Sequence, residues 1–593
     1  MTQLNTPYPA TAFLTGFLRS RGVDCVQADL AIELVARLFS KTTLDRVETI
    51  PSVYRETVDP VMRFLQGRDP TLALRIVSRS FLPEGPRFEV LQEMEDTLGW
   101  AFGALGMADQ AKHLATLYLL DLADLVREHI DPRFELSRYA EKIAISAPSF
   151  DGLWDALHAP PTLVDSLLAE LTVAQCRAVQ PDVVGITAPF PGNVYGAFRI
   201  AQAVRSVLPK VVIAFGGGYP STELRELKDP RVFDLMDYVT LDAGEAPMLG
   251  ILGQEPLNNT FARRDGKVVF HPPIPPIPHS ATGTPTYDGL PLDLYLSVFE
   301  MLNPMHRIWS DGRWNKLMVS YGCYWSKCTF CDTRLDYIER FSKAPANLLV
   351  DRMEAMMAET GQHGFHFVDE AAPPAMLRAL SEAILERGLT VTWWGNIRFE
   401  KSFTPELCAL MARAGCVAVS GGLEIAEPRL LKLVNKGVTV EQVARVTHAF
   451  TEAGIMVHAY LMYGYPTQTE RETINSLELV RQLFEAGCIQ SGFWHRFALT
   501  VHSPIAADPA AFGIALLPEP ETTFARNEIP FHDPVGCDHD RLAHGLRKAL
   551  FNFMHGVGLD HDVRAWFDHK VPKATVSPTF IADALAEGAG SEA

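Results

Sequence analysis

The chain has 593 residues, 47% of them hydrophobic and 21% charged, and its formal net charge is −18 at pH 7. This length is too great for one hydrophobic core, so we expect two to four domains in a globular protein. The acidic balance argues against a general nucleic-acid partner or an anionic membrane surface, and no apolar run is long enough to cross a bilayer.

The chain begins Met1-Thr-Gln-Leu-Asn-Thr, which lacks the basic and apolar segments of a signal peptide. A helix is predicted to end at Gly22, and Val23–Val26 predicts a short strand. Helical periodicity then dominates and indicates a helical insertion over about 41–150. Its clearest predicted helices are Val90–Leu98 and Lys112–Val126.

Buried strands alternate with a helix from residue 182 onward, which indicates a parallel sheet covered on both faces. The predicted strands are 182–187, 211–215 and 238–241, and the predicted helix is 193–208. Ligands of such sheets lie beyond the carboxyl ends of the strands. The loops at that edge are Thr187–Asn193, Gly216–Tyr219 and Asp242–Glu245. We interpret residues 1–255 as a Rossmann-like domain.

Residues 256–312 are predicted to form a connector. Phe261–Phe270 indicates a β-hairpin with an Asp-Gly turn, and the proline-rich run that starts at Pro272 is expected to be extended. Asp293–Leu302 predicts a helix that leads into the next domain.

Six strand–helix units over residues 313–505 indicate a partial (β/α)6 TIM-like barrel, so the predicted fold class is α/β. The predicted strands are 316–321, 364–369, 391–397, 416–420, 455–463 and 490–500. The predicted helices are 348–360, 375–387, 405–414, 440–453 and 471–485. Residues 506–593 are interpreted as a C-terminal extension, with a helix at Leu546–Phe553 and histidines whose spacing does not fit a zinc motif.

Three cysteines, Cys323, Cys328 and Cys331, follow the first barrel strand within nine residues. Thiolates this close on one loop can bind a soft metal or an iron–sulfur cluster. Unrelated buried thiols and a structural zinc site are the alternatives, and zinc would require a fourth Cys or His nearby. The other cysteines are dispersed, which is typical of a reduced, cytoplasmic protein.

A cysteine loop after the first strand of a partial barrel resembles the radical S-adenosylmethionine (SAM) superfamily. The first spacing departs from the common pattern, because four residues rather than three separate Cys323 from Cys328. The resemblance implies a [4Fe–4S] cluster on the three cysteines, with one iron left to bind SAM. It also implies SAM-binding residues at the strand ends, namely Phe330, Asp369, Glu370, Arg398, Gly421, Gly422, Glu424, Gly464 and Pro466.

The first α/β domain resembles the cobalamin-binding domain that precedes the barrel in one large radical SAM class. No Asp-x-His-x-x-Gly motif is present, so the resemblance implies cobalamin without a histidine ligand from this domain. The implied contacts are Thr187, Asn193, Gly216, Gly217, Gly218, Gly244 and Glu245. A degenerate α/β domain that serves only packing or substrate docking is the alternative.

Together these resemblances imply an enzyme that cleaves SAM reductively to a 5′-deoxyadenosyl radical and transfers a methyl group from cobalamin to an unactivated carbon. The substrate is expected to be a small molecule or peptide, and the electron donor a flavodoxin or ferredoxin. A radical rearrangement or cyclisation without methyl transfer is one alternative, and a non-catalytic iron–sulfur sensor is another. The sequence does not identify a catalytic residue.

Overall fold

The computed structural model describes residues 4–91, 106–136, 141–299, 302–310 and 314–590. Its first sheet has the order β1-β2-β3-β4-β5, in which β1, β2 and β3 are parallel and the last two strands are antiparallel. The strands are β1 Val183–Thr187, β2 Val212–Gly216, β3 Tyr238–Thr240, β4 Thr260–Arg264 and β5 Lys267–His271. The predicted connector therefore starts with two strands of this sheet, because the hairpin pairs with β3.

Helices cover both faces of the first sheet. One face packs against Leu163–Val179 and Pro191–Val207, and the other face against Pro9–Ser20 and Glu245–Ile251. The remaining helices before the barrel are Leu30–Leu38, Lys41–Leu44, Ser52–Leu65, Ala73–Val77, Met107–His129, Asp151–His158, Gly218–Glu223 and His306–Ser310. The helical insertion shares one hydrophobic core with the sheet, so it is an integral part of the domain.

Two predicted elements are wrong. Val23–Val26 is not a strand, because the Cys25 carbonyl accepts hydrogen bonds from the Arg19 guanidinium instead of a neighbouring strand. Residues 293–299 are not helical, because their N–H groups bond to other parts of the chain. Leu296 N–H donates to Leu4 O and Ser297 N–H to Leu65 O. The predicted helix Val90–Leu98 lies mostly outside the described residues, whereas the one at Lys112–Val126 is confirmed.

The second sheet is the predicted parallel barrel sheet, with the strand order β13-β12-β11-β10-β9-β6. Its strands are β6 Asn315–Leu317, β9 Gly364–Phe367, β10 Thr392–Ile397, β11 Cys416–Glu424, β12 Met456–Tyr463 and β13 Ser491–Arg496. Short pairs β7 Ser320–Tyr321 with β8 Ser342–Lys343, and β14 Ala515–Leu516 with β15 Phe531–His532, lie outside it. The predicted α/β fold class is confirmed.

Helices follow the barrel strands and cover the outer face of this sheet. They are Ala346–Thr360, Pro374–Glu386, Pro405–Arg413, Val440–Glu452, Glu470–Glu485, His539–Met554 and Phe580–Gly590. The short helices Asp336–Glu339, Pro428–Val434 and Pro504–Ala507 are also present, and the last two pack in a separate hydrophobic cluster. Alternation along β12 shows the two faces: Val457, Ala459 and Leu461 join the core under the helices, whereas His458 and Tyr460 point into the barrel. Inward positions of the other strands follow from their pairing with β12.

The C-terminal extension returns to the first domain through residues 523–526, which we call the strap. Thr523 O accepts hydrogen bonds from the N–H groups of Lys228 and Asp229, and Ala525 N–H donates to Ala147 O. Phe524 is fully buried in the core of the first domain, where it packs on Phe150. In the described residues no helix is long and apolar enough to span a membrane.

Substituting Phe524→Ala should lower the free energy of unfolding by about 3–5 kcal/mol, because it removes a fully buried ring and leaves a cavity. Leu517→Ala is the matched control, since Leu517 lies in the same extension and is largely exposed. Chemical denaturation of both variants measures the difference. Equal stability of the two variants would show that the strap does not hold the first domain.

Candidate functional site

The cysteine loop lies at the carboxyl end of the barrel strands, where Cys323 pairs with Ala371 beyond β9. Cys328 is buried, and the Cys328 carbonyl accepts a hydrogen bond from Cys331 N–H at 3.3 Å. Their thiols also share a hydrogen bond, which together with the Lys436 charge outweighs burial and lowers the pKa of Cys328 to about 7. The pKa of the partner thiol, Cys331, is raised by the same bond and by burial. The pair therefore loses its first proton near neutrality.

No three His, Cys, Asp or Glu side chains in the described ranges are grouped closely enough to hold a single metal ion. A [4Fe–4S] cluster would be held by three cysteine thiolates, which need not converge on one ion as the ligands of a single metal do. The three cysteines on one loop, with an adjacent thiol pair and a buried cation, fit the donor set of such a cluster.

The cysteine loop is fixed to residues 433–437, which follow the helix Pro428–Val434. Thr329 donates through N–H to Val434 O and through its hydroxyl to Leu433 O. Trp325 Nε1–H donates to Asn435 O at 2.9 Å, and Asn435 returns a bond to Lys327 O at 3.0 Å. These bonds give Asn435, Lys436 and Gly437 the structural role of holding the loop.

A buried ion pair stands beside the cysteines. Lys436 Nζ lies 2.6 Å from Glu424 Oε1, and both side chains are less than a tenth exposed. Burial alone would lower the pKa of Lys436, but Glu424 and Cys328 outweigh it and the pKa is raised, so the ammonium stays charged. Glu424 has a positive φ of 62° beside a bulge in β11, which turns its side chain into the barrel. Its predicted contact with SAM stays a prediction.

Arg398 follows β10 and connects the loop to this pair. Its guanidinium donates to the Lys436 carbonyl and to Glu400 Oε2, and it lies 4.2 Å from the centre of the Trp325 ring. Arg398 Nε and the neighbouring Asn396 Oδ1 are buried without a hydrogen-bond partner. Since buried polar atoms normally have partners, these two atoms are available to a polar ligand at the mouth.

The adjacent carboxylates after β9 have different surroundings. Asp369 is buried and accepts hydrogen bonds from the N–H groups of Val319 and Ser320 and from the Ser320 hydroxyl. Burial raises the pKa of Asp369 to about 6 despite these bonds. Glu370 is surrounded by protein on most sides yet its side chain still contacts solvent, and burial with the Asp369 charge raises its pKa to about 7. Glu370 is therefore the freer of the two for a ligand.

The remaining predicted SAM residues lie around the same mouth. A Cβ at Gly422 would approach Glu424 Oε1 and Lys436 Nζ, so glycine there leaves room for the ion pair. Gly464 has a φ of 82°, and its N–H donates to Gln468 Oε1, so Pro466 lies within the turn that this bond closes. Other predicted members contact protein side chains: Gly421 faces Phe399, and the Phe330 ring lies 6.0 Å from Lys436 Nζ.

At the edge of the first sheet, Thr187 Oγ1 and Asn193 Oδ1 are buried without a partner, which suits a polar ligand. The triple glycine has a different environment. A Cβ at Gly217 or Gly218 would meet the backbone of residues 188–189, and one at Gly216 would meet Thr240. Packing of the two strand ends therefore requires these glycines, whereas Gly244 has open space on its Cβ side apart from Leu14.

This sheet edge faces the barrel. His502 Nε2, from the barrel side, lies 2.8 Å from Thr222 O of the first domain. Tyr8 of the first domain is near Glu370 of the barrel mouth, and burial together with the Glu370 charge raises the pKa of Tyr8. Tyr8 contacts Phe190 edge-on at 6.1 Å, and Phe190 is largely exposed beyond β1. Glu245 is enclosed at this edge, and burial raises its pKa. The candidate cobalamin loops and the barrel mouth thus lie in one region.

The sequence interpretation missed the inward-facing residues Lys316 and His366, which lie one layer below the mouth. Lys316 was assigned to a strand with no function. A lysine inside an otherwise apolar strand was the available signal, because such a residue is rarely fully buried without a reason.

The chain is similar to several known proteins. The family model described as Radical SAM superfamily matches residues 317–480. An uncharacterized methyltransferase of Pyrococcus horikoshii is 25% identical over 340 residues, which is 54% of this chain and 69% of the relative. The anaerobic magnesium-protoporphyrin IX monomethyl ester cyclase of Rubrivivax gelatinosus is 27% identical over 335 residues, 53% of this chain and 57% of that relative.

A solved structure has a similar fold. It is the cobalamin-dependent S-adenosylmethionine radical enzyme OxsB with aqua-cobalamin bound, with a TM-score of 0.51 at 13% identity. The superposition covers 72% of this chain and 74% of that one, so the likeness extends beyond the barrel.

Gly437→Ala should reduce the iron retained by the reconstituted protein. Gly437 has a φ of 74°, and a Cβ there would clash with the Trp325 ring, so this ring must move and its bond to Asn435 O, which holds the cysteine loop, is disturbed. Gly454→Ala is the matched control, because Gly454 has a φ of 78° with nothing within 4 Å of its Cβ. Both variants carry the backbone strain of about 1–2 kcal/mol, and only the first displaces the loop. Equal iron content in the two would contradict this account of loop docking.

Glu424→Gln should lower the free energy of unfolding by about 3 kcal/mol, because it leaves a buried ammonium without its carboxylate. The double variant Glu424→Gln/Lys436→Met removes both charges and should recover most of that loss. Denaturant unfolding of the cluster-free protein measures both. If the single variant is as stable as the unaltered protein, the pair is not a structural element of the mouth.

Proposed function

From the premise that residues 317–480 form a radical SAM domain, we propose that the protein is a cobalamin-dependent radical SAM methyltransferase. The observation that carries this proposal is the arrangement at the barrel mouth. The cysteine loop and the buried Lys436–Glu424 pair lie there, facing the edge of the first sheet at which the oxygens of Thr187 and Asn193 have no hydrogen-bond partner. The methylated compound is proposed to be a small molecule or a peptide.

Cys323, Cys328 and Cys331 would hold a [4Fe–4S] cluster, which when bound supplies the electron that cleaves SAM. The low pKa of Cys328 favours a thiolate there before any metal arrives. The Lys436 ammonium adjacent to the thiol pair stabilises negative charge on the sulfur atoms. Positioning of the loop on residues 433–437 fixes these donors relative to the barrel.

SAM carries an ammonium and a carboxylate, and the mouth offers groups of both signs. Glu370 is the available carboxylate for the ammonium, and Arg398 with its free Nε is the available cation for the carboxylate. Glu424 is held by Lys436, so we propose that it contacts SAM through the oxygen that does not bind the lysine. Asp369 instead orients the loop through Val319 and Ser320.

Thr187, Asn193, Gly244 and Glu245 would contact cobalamin, which when bound supplies the methyl group. The buried unpartnered oxygens of Thr187 and Asn193 suit its amide side chains. Glycines 216–218 pack the strand ends, because a Cβ at each would meet protein atoms, and their predicted contact with cobalamin would be made by the backbone. The aromatic pair Tyr8 and Phe190 lies between this edge and the barrel mouth.

A radical cyclisation is the second candidate function, because one of the similar proteins is named as an ester cyclase. Product mass separates the two reactions. Protein reconstituted anaerobically with iron, sulfide, cobalamin, SAM and a reductant should release 5′-deoxyadenosine and should transfer a labelled methyl group from SAM to the cobalamin that it retains. Formation of 5′-deoxyadenosine without cobalamin retention or methyl transfer would favour the cyclisation. Absence of both 5′-deoxyadenosine and methyl transfer would contradict the assignment as a radical enzyme.

The variant with alanine at Cys323, Cys328 and Cys331 should lose its iron–sulfur absorption and produce no 5′-deoxyadenosine, because it removes all three thiolates. Alanine at Cys25 and Cys537 is the control, since both cysteines are also partly exposed but lie outside the cysteine loop. Iron and sulfide analysis on the same anaerobic samples measures the loss. A full cluster signal in the triple variant would disprove the assignment of ligands.

A further inference from the structure

A polar layer closes the barrel interior below the cofactor mouth, and the proposed function does not use it. Lys316 on β6, His366 on β9 and Trp394 on β10 are register neighbours that point inward. Lys316 Nζ lies 3.0 Å from His366 Nδ1, and the His366 ring stacks on Trp394 at 3.6 Å with planes 7° apart. We call Lys316, His366 and Trp394 the barrel floor.

The ammonium of the barrel floor has no anionic partner. Lys316 is 3% exposed, and no carboxylate in the described part of the chain lies within ion-pair distance of it. Burial lowers the pKa of Lys316 to about 7, with no opposing charge to restore it. A buried lysine of this kind is only partly charged at neutral pH and gains full charge when an anion binds beside it, which is typical of lysines at functional sites.

The opposite wall of the barrel interior, formed by β12 and β13, also carries polar side chains. His458 on β12 shares a hydrogen bond of 2.7 Å with Ser491 on β13, and Ser491 donates to Asn303 Oδ1 at 2.7 Å. Trp309 meets the His458 ring edge-on at 4.9 Å and closes the layer from below. His458 pairs in register with Ser420, one inward position above the layer of Lys316, His366 and Trp394. His458, Ser491 and Asn303 hydrogen-bond to one another, so the charge of Lys316 has no counterpart on this wall.

Above the floor the interior has aromatic walls. Tyr460 and Phe493 are register partners on β12 and β13 at inward positions, yet their exposed fractions are 37% and 45%. Large aromatic side chains that point into a barrel and still contact solvent border an open cavity. The cavity therefore has an apolar aromatic side wall and a cationic floor.

We propose that the barrel floor binds an oxyanion, a carboxylate or a phosphate, of a substrate whose apolar body lies against Tyr460 and Phe493. The ligand would supply the negative charge that Lys316 lacks, and His366 would hold the ammonium in position through the 3.0 Å contact. This inference rests on the proposed function only in treating the barrel interior as the substrate site. It narrows the substrate to organic acids or phosphate esters.

Three probes of one shape test the charge: benzoate, phenyl phosphate and the neutral benzamide. Calorimetric titration of the full chain, reconstituted with cluster and SAM, should show benzoate or phenyl phosphate binding on the order of tenfold to a hundredfold more tightly than benzamide. A preference for benzoate assigns a carboxylate, and a preference for phenyl phosphate assigns a phosphate ester. Equal affinity of all three would overturn the proposal.

Lys316→Met should abolish the preference for the anion while benzamide still binds, which also shows that the variant is folded. Lys316→Gln provides the same comparison if the methionine variant does not fold. Lys267→Met, at an exposed position of β5, should keep the full preference. Retention of the preference in a folded Lys316 variant would overturn the proposal.

The same samples separate this inference from the proposed function. Release of 5′-deoxyadenosine tests the radical SAM assignment, and the anion preference tests the barrel floor. Normal 5′-deoxyadenosine release without an anion preference disproves only the floor as a binding site. An anion preference that depends on Lys316 without any SAM cleavage disproves only the enzyme assignment.

Discussion

The candidate site depends on one buried ion pair, between Lys436 and Glu424. Its two ends belong to segments that the chain must bring together: Glu424 at the end of β11, and Lys436 in the turn that holds the cysteine loop. Neither charge is tolerable in a low-dielectric interior without the other, so the pair fixes the turn against the strand. The Cys328 and Cys331 thiols, and Arg398 with its bond to the Lys436 carbonyl, then take their positions from that turn.

The barrel could be predicted from the sequence to within a few residues, because each strand is a short apolar run and each helix has clear periodicity. The start of β11 at Cys416 and the helix Val440–Glu452 are examples. Val23–Val26 is a segment where the local pattern and the fold differ. Its composition suits a strand, but a strand also needs a partner, and the Cys25 carbonyl bonds to a side chain nearby. Pairing is a tertiary property that local pattern does not contain.

The site residues also fall into those that a local sequence signal reveals and those that depend on the folded chain. The spacing of the cysteines is a local signal, whereas the division of labour between Asp369 and Glu370 is not. Two adjacent carboxylates are equivalent in the sequence, and only the folded backbone decides that Asp369 receives the Val319 and Ser320 N–H groups. Likewise, the sequence does not reveal that a Cβ at Gly217 or Gly218 would meet the backbone of residues 188–189, or that one at Gly216 would meet the Thr240 side chain. Their contact with cobalamin stays a prediction.

The strap has a consequence for how the protein is made. Phe524 completes a core whose other members, such as Phe150 and Phe198, leave the ribosome several hundred residues earlier. The first domain therefore cannot reach its final packing while the barrel is being synthesised, and an unfilled apolar site persists during that interval. Contacts of such long sequence separation slow folding, so assembly of the two domains becomes a late, shared step of biosynthesis. Partial chains that end before residue 524 are expected to be substrates for chaperones rather than stable domains.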